Sequence, residues 1–403
     1  MRPERLVAAT KISLAPRSGQ WGRPGSEPAT FGPHPDPLRR GERGTGLLFL
    51  AALLVASRGV AAENASATVS VYADDNEVTV VSPTARGGGA FGPVDLTATA
   101  GVDVVSAASV DIVSAASPHA FHETRFHAAV DGRWAPAAGT GITAGYALST
   151  EPDFLTHAFT LGAARDVFDR HVTLGLDYSF GWSRIGRVGD LAFERFRQTH
   201  QIEASWSQVL SPTVVLDLEY GLTLVAGYQA NPYRFVRLYF PGEALQATGI
   251  AERTPDFRAR QSGTVRLRAR LTPALFSAAE YTFYADSWGM VAHTLSARAS
   301  FTFTPAWTLV GEARGHTQTG VSFYRSRYET LPEAPSLRTA EKEFGPMWTV
   351  LGSLHLDWTP EVSWAENFRV GLGADFLHLR YLDHPLITNR NAVIGMVDVS
   401  WEY

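Results

Sequence analysis

The chain has 403 residues, no cysteine, 19% charged residues and a formal net charge of −5. The missing cysteine excludes disulfide staples, thiolate metal sites and thiol nucleophiles, and the weak acidity leaves no nucleic-acid footprint. A mean hydropathy of −0.06 is too polar for a bundle of membrane helices.

Residues 1–45 include "APRSGQWGRPGSEPATFGPHPDPLRRGERG", rich in Pro, Gly and Arg and without an apolar period. Such a composition cannot bury a core. It reads as an upstream extension from a start codon assigned too early. Gly46–Ser57, "GLLFLAALLVAS", follows Arg39, Arg40 and Arg43. This apolar run is shorter than the roughly 20 residues a membrane helix needs. The small residues Val60 and Ala62 complete the pattern of a secretory signal peptide over 46–62, cleaved after Ala62, with Ala65-Ser66-Ala67 as a second possible site. A buried helix is the alternative. The expected organisation is a leader over 1–62 and one domain over 63–403.

From there the dominant signal is period two. In "VVLDLEYGLTLV" (214–225), Val214, Leu216, Leu218, Tyr220, Leu222 and Leu224 alternate with Asp217, Glu219, Gly221 and Thr223. Comparable runs fall near 69–82, 93–106, 122–134, 139–149, 155–166, 171–182, 199–210, 213–226, 259–271, 274–286, 290–304, 306–316, 319–328, 346–358, 367–380 and 391–403. One face is apolar and the other polar, as strands of a half-buried sheet require. Strands of 9–13 residues suit a tilted membrane crossing. "SPT" (211–213), "LTP" (271–273) and "TPA" (304–306) predict short periplasmic turns, and 183–198, 227–258 and 329–345 predict outer loops. Trp182, Trp206, Trp307, Trp348, Trp358 and Trp401 sit near strand ends, where an interfacial girdle belongs. A soluble sandwich also has alternating strands, but not so many long ones with a signal peptide and terminal tryptophans. The expected fold class is therefore all-β: an antiparallel, up-and-down transmembrane β-barrel of the outer membrane of a Gram-negative bacterium, with about 16 strands and a range of 14–18. The last strand carries Val393, Val397, Val399, Trp401 and Tyr403 on one side. Trp401 and Tyr403 are the expected assembly signal, for the barrel-assembly machinery and outer-membrane lipid as partners.

With the apolar face on lipid, the polar face lines a lumen. Arg258, Arg260, Arg266, Arg268 and Arg270 share one parity, and Glu280, Asp286, Arg298, Glu312, Arg314 and His316 follow on the next strands. Two readings stand: a conduit for anions or acidic polymers, and a lumen laced by cross-strand ion pairs that only stiffen the wall. The second is preferred. "VDVVSAASVDIVSAAS" (102–117) is a near-duplicated octapeptide. An even period keeps Asp103 and Asp111 on one side, and two copies are too few for a repeat protein. Both aspartates are expected to face inward and meet arginine, Arg125 or the row Arg260–Arg270, rather than a metal. Glu151 and Asp153 are spaced like calcium-loop oxygens but lack the remaining ligands, and His119 and His122 are read as polar surface. No metal, cofactor or catalytic residue is assigned. An enzyme at the barrel rim, protease- or lipase-like, is the alternative to a conduit or scaffold. His293, His316, Asp286 and Glu312 are its only candidates, and His293 has lipid-side parity.

The mature chain resembles an uncharacterised family of outer-membrane barrel proteins, a domain of unknown function of the DUF3570 type. "VDVVSAASVDIVSAASP" with "HETR" (122–125), "LSTEPDF" (148–154), "SQVLSP" (207–212), "GYQANPYRFVRL" (227–238), "ERTPDFRAR" (252–260), "YTFYADSWGMVAHTL" (281–295) and "HTQTGVSFY" (316–324) carry the resemblance in that order, over nearly all of Val71–Tyr403. Phe154 and Thr282 stand where the family pattern has Tyr and Arg. The resemblance implies a barrel without established activity, so no catalytic residue is carried over. It also implies envelope flavin-transfer lipoproteins and thioredoxin-like proteins as partners.

Overall fold

The computed structural model describes residues 64–107, 121–238, 249–328, 336–364 and 366–402. The leader, the second octapeptide copy with Asp111, and Tyr403 lie outside the described residues. The barrel strands are β1 Asn64–Asp74, β2 Val78–Phe91, β3 Val94–Ala107, β4 Phe121–Ala137, β5 Thr140–Glu151, β6 Phe154–Val167, β7 Val172–Ile185, β8 Arg195–Ser211, β9 Val214–Gly227, β12 Phe257–Thr272, β13 Leu275–Asp286, β14 Val291–Thr304, β15 Trp307–Gln318, β16 Met347–Trp358, β17 Glu366–Tyr381 and β18 Asn389–Glu402. Each pairs antiparallel with its chain neighbours, and β1 pairs with β18 from Asn64↔Glu402 to Asp74↔Ala392, closing a 16-stranded barrel. Closure leaves no unpaired edge, which a hydrocarbon environment demands. A short hairpin, β10 Phe235–Arg237 with β11 Gly249–Ala251, stands apart between β9 and β12.

The alternation is realised as expected. Phe159, Leu161, Leu174, Leu176, Leu218, Leu295, Leu354, Leu372 and Val397 are large apolar side chains exposed on the outer face. On a water-soluble protein such a belt would be an aggregation surface; around a closed barrel it is the lipid contact. The molecule is thus a transmembrane β-barrel of the outer-membrane type. Trp182 and Trp348 lie toward one end of the outer face, and Trp206, Trp307, Trp358 and Trp401 toward the other, where Trp307 and Trp358 stack 5.9 Å apart.

The two ends differ. At the end carrying Asn64 and Glu402 the links are short, for example 92–93, 138–139, 212–213 and 273–274. The opposite end carries the long links 228–256 and 319–346. Short turns mark the periplasmic end and long loops the outer end.

Two expected runs fail, in compensating ways. The run 69–82 is two strands: the Asp74 carboxylate accepts from the backbone amides of Asn76 and Val78, both at 3.0 Å, and turns the chain at 75–77. The run 319–328 is not a barrel strand. Its apolar residues Val321 and Tyr328 are buried, packing under the outer mouth instead of against lipid.

Candidate functional site

The lumen face follows from register. Asp103 opposes Arg125, Asp217 opposes Arg266, Arg266 opposes Glu280, and Arg298 opposes Glu312. These charges therefore share the inner surface. Asp103 and Arg125 form an ion pair at 3.0 Å. Arg266 bridges Glu280 at 2.5 Å and Glu219 at 3.1 Å, and Arg268 meets Asp217 at 2.7 Å. Asp217 also accepts from the Ser207 hydroxyl at 2.7 Å. The ladder on β12 is thus largely neutralised by acids from β9 and β13. Arg270 lies against the Phe276 ring at 5.7 Å. Arg260, Arg298, Glu312 and Arg314 make no ion pair within 4.0 Å among the described residues, and the Arg260 Nε is buried without a hydrogen-bond partner.

At mid-height these side chains are wet. Arg268 keeps 44% of its side-chain surface, and Arg266 and Glu280 about a third. Small residues beside them, Ser296, Ser300 and Ala278 next to Arg298, leave the inner wall open. Higher up, the same arginine row changes character. Arg258 is buried: its guanidinium pairs with Asp286, whose side chain is fully covered, and lies 4.2 Å over the Trp288 ring. Tyr284 donates to the same carboxylate at 2.8 Å, and the amides of Trp288 and Met290 close on its other oxygen at 2.9 and 3.1 Å.

What covers Arg258 is a crossbar built from the two long outer links. In 319–346, a 3-10 turn (Lys342–Phe344) lies across the mouth. Phe344 meets Trp288 at 5.5 Å on the β13 side, while Lys342 lies 6.0 Å over Tyr381 on the β17 side. In 228–256, Arg234 ion-pairs with Glu341 and Glu252 accepts from Thr339, tying the two links together. The Tyr233 hydroxyl reaches Asp153 at the β5–β6 turn and accepts from the Val188 amide at 2.7 Å. The crossbar therefore has three footholds: β5–β6, β12–β13 and β17–β18–β1. In the strand order these are five or six strands apart, close to thirds of the ring. Val236, Leu238, Tyr328 and Thr339 are buried within it. Arg390, paired with Asp74 at 3.4 Å, lies near Glu343. Burial pushes the Glu343 carboxyl up, but Lys342, Arg234 and Arg390 outweigh it and hold that carboxyl below the usual range.

Three carboxylates, Glu123, Glu151 and Asp153, come within 4.8 Å of one another below this foothold. They offer oxygens of the kind hard cations take, though Tyr233 already engages Asp153. Sequence spacing pointed to Glu151 and Asp153; Glu123 arrives from the neighbouring strand. Sequence reasoning also missed His355 and Asp375, which pair at 3.0 Å across β16 and β17. Their common lumen parity was readable in each strand, but not the register that joins them. No hydroxyl among the described residues hydrogen-bonds His355, so a nucleophile is missing from that pair. His293 faces lipid and bonds Tyr281, whereas His316 faces the lumen and bonds Thr294 at 2.8 Å, so the two rim histidines stand on opposite faces of the wall.

Residues 103–359 match the model of a family described as "Protein of unknown function (DUF3570)", and the chain belongs to that family. No curated protein matches. Among solved structures, a bacterial polysaccharide outer membrane secretin aligns with 9% identity over 84% of this chain and 98% of its own, at a TM-score of 0.46. OprD of Pseudomonas aeruginosa aligns with 8% identity over 84% and 94%, TM-score 0.41. The siderophore receptor PirA of the same organism aligns with 9% identity over 79% of this chain but 56% of the receptor, TM-score 0.40.

Proposed function

We propose that this barrel is a conduit for hydrophilic solutes across the outer membrane of a Gram-negative bacterium, exported by a leader cleaved near Ala62, with passage limited at the outer mouth by the crossbar. The observation that carries the reading is the wet charge at mid-lumen. A purely structural filling would desolvate and pair every ion, whereas Arg268 is half exposed, and Arg298 and Arg314 have no acid within 4.0 Å among the described residues. Sixteen strands are wide enough for an aqueous interior, and among the described residues the links at the short-turn end are short. With most of the β12 ladder paired, Arg260, Arg298 and Arg314 against the single Glu312 leave β12–β15 a net cationic wall, which favours anionic solutes. The alternative, an enzyme at the rim, has less behind it: of its histidine candidates, His316 meets a wall threonine hydroxyl, Thr294 at 2.8 Å, and His293 faces lipid.

Liposome swelling in graded sugars tests the reading with the purified, refolded chain. Small sugars should permeate, and Tyr233→Phe combined with Glu341→Gln, which cuts two ties of the crossbar, should raise the rate and the size limit. Impermeability of both proteins, with folding verified by heat-modifiable mobility, would overturn the conduit.

A further inference from the structure

Among the described side chains, four histidines project outward from the barrel, and all four lie near the outer rim. His157 on β6, His200 on β8 and His293 on β14 each hydrogen-bond a tyrosine of the adjacent strand through Nδ1: Tyr146, Tyr178 and Tyr281, each at 2.8 Å. His378 on β17 bonds Asn391 at 2.7 Å and packs 5.2 Å from the Trp348 ring. Register puts all of them on the lipid side, since their odd or even neighbours carry the lumen charges. The three tyrosine pairs are one motif repeated on three different strand pairs, all within the half of the ring that runs from β5 to β14. A tyrosine hydroxyl donating to Nδ1 leaves the N–H on Nε2, and among the described residues no protein group satisfies that nitrogen in any of the three.

An unsatisfied N–H facing hydrocarbon costs several kcal/mol, so these nitrogens belong at headgroup depth, where an acceptor is available. Two guanidinium groups share the rim and the outward parity: Arg184 on β7, two residues beyond Trp182, and Arg380 on β17, two beyond His378. Arg184 is more than half exposed, with Glu194 no closer than 3.8 Å, and Arg380 donates to Asn389 at 2.9 Å. The Arg184 ion pair with Glu194 is long and exposed, and Arg380 has no acid within 4.0 Å among the described residues. The outward rim from β5 to β17 is thus an arc of donors with two arginines, interleaved with aromatic rings that seat at the same interface. We infer that this histidine–tyrosine belt binds the phosphate groups of outer-leaflet lipid, with Arg184 and Arg380 supplying charge and the Nε2 donors supplying direction.

The inference rests on the membrane placement proposed above but not on conduction, and its test separates the two. The full chain is reconstituted into vesicles of phosphatidylcholine, of phosphatidylcholine with lipid A, and of phosphatidylcholine with phosphatidic acid. Lipids that remain bound are counted by native mass spectrometry. The wild type should retain lipid A or phosphatidic acid in preference to phosphatidylcholine. A variant with His157→Gln, His200→Gln and His293→Gln should lose most of that preference while keeping heat-modifiable folding and sugar permeation. Retention of lipid A but not phosphatidic acid would refine the ligand to the phosphorylated sugar. Equal retention of all three lipids, or an unchanged preference in the triple variant, would overturn the assignment. Where the triple variant folds poorly, Tyr146→Phe with Tyr178→Phe offers a second route. It releases the imidazoles without removing them, and should weaken the preference rather than abolish it.

Discussion

Arg258 and Arg266 stand on one strand, point the same way and each meet a carboxylate of β13, yet they are different objects. Arg258 and Asp286 keep 6% and 0% of their side-chain surface; Arg266 and Glu280 keep 32% and 30%. The first pair is sealed by Trp288 and the crossbar, the second faces water. Position under a loop, not residue type, decides which charge holds structure and which is free to meet a solute.

The widest separation between the two should come from removing the acid. Asp286→Ala strands a buried guanidinium and three former donors, and should cost about 3–5 kcal/mol. Glu280→Gln leaves Arg266 with Glu219 and water, and should cost about 1 kcal/mol or less. Equilibrium unfolding in urea from detergent or lipid measures both. Equal losses would mean that the crossbar does not seal the mouth.

A second contrast sets the lipid face against the lumen face. Leu218 points outward and is exposed to lipid, so Leu218→Arg should cost about 2 kcal/mol or more, depending on depth. Asp217 is a poor lumen control, because it holds both Arg268 and Ser207. Ser296→Arg, placed between Glu280 and Arg314, is the better one and should fold normally. Matched losses would reverse the assigned faces of the wall.

Parity was legible in the sequence because lipid on one side and water on the other impose it residue by residue. What rested on tertiary position was not. The alternation of Val321 and Phe323 with Gly320 and Ser322 is indistinguishable from a strand, since burial under a loop rewards the same spacing as burial in lipid. The turn at Asp74 was hidden because Ser and Thr alternate on both sides of it. Arg258 belonged visibly to the arginine row, but only the inward fold of residues 319–346 separates it from Arg266. Asp103 and Arg125 were foreseeable as partners because their strands are neighbours in the chain.

The crossbar itself should answer to pH. Glu343 is held below the ordinary glutamate value of about 4.5 by Lys342, Arg234 and Arg390. A depressed carboxylate contributes stability that is complete above its unfolded pKa and is lost as pH falls through the folded one. The mouth should therefore loosen only below about 4.5, seen as faster sugar entry or as proteolysis of the outer links. Glu343→Gln should flatten that acid limb. A rise in permeability on going alkaline instead would assign the wrong sign.

The smallest structural effect, and the most informative for function, is expected at Arg298. It has no ion pair within 4.0 Å among the described residues, its register neighbour Glu312 notwithstanding. Arg298→Gln should therefore leave stability within about 0.5 kcal/mol. Its influence on a passing ion is long-range and screened, so the measurement must be made in dilute salt. The Debye length is about 30 Å at 0.01 M but about 3 Å at 1 M. Under a salt gradient across a planar bilayer, wild type should favour the anion, and Arg298→Gln should shift the reversal potential toward the cation at low salt and hardly at all at high salt. Adding Glu312→Gln removes the opposing charge and should return most of the shift, since both groups face the same water. A reversal potential indifferent to both substitutions at low salt would place the permeation path away from β14 and β15, and the cationic wall would then be structural throughout.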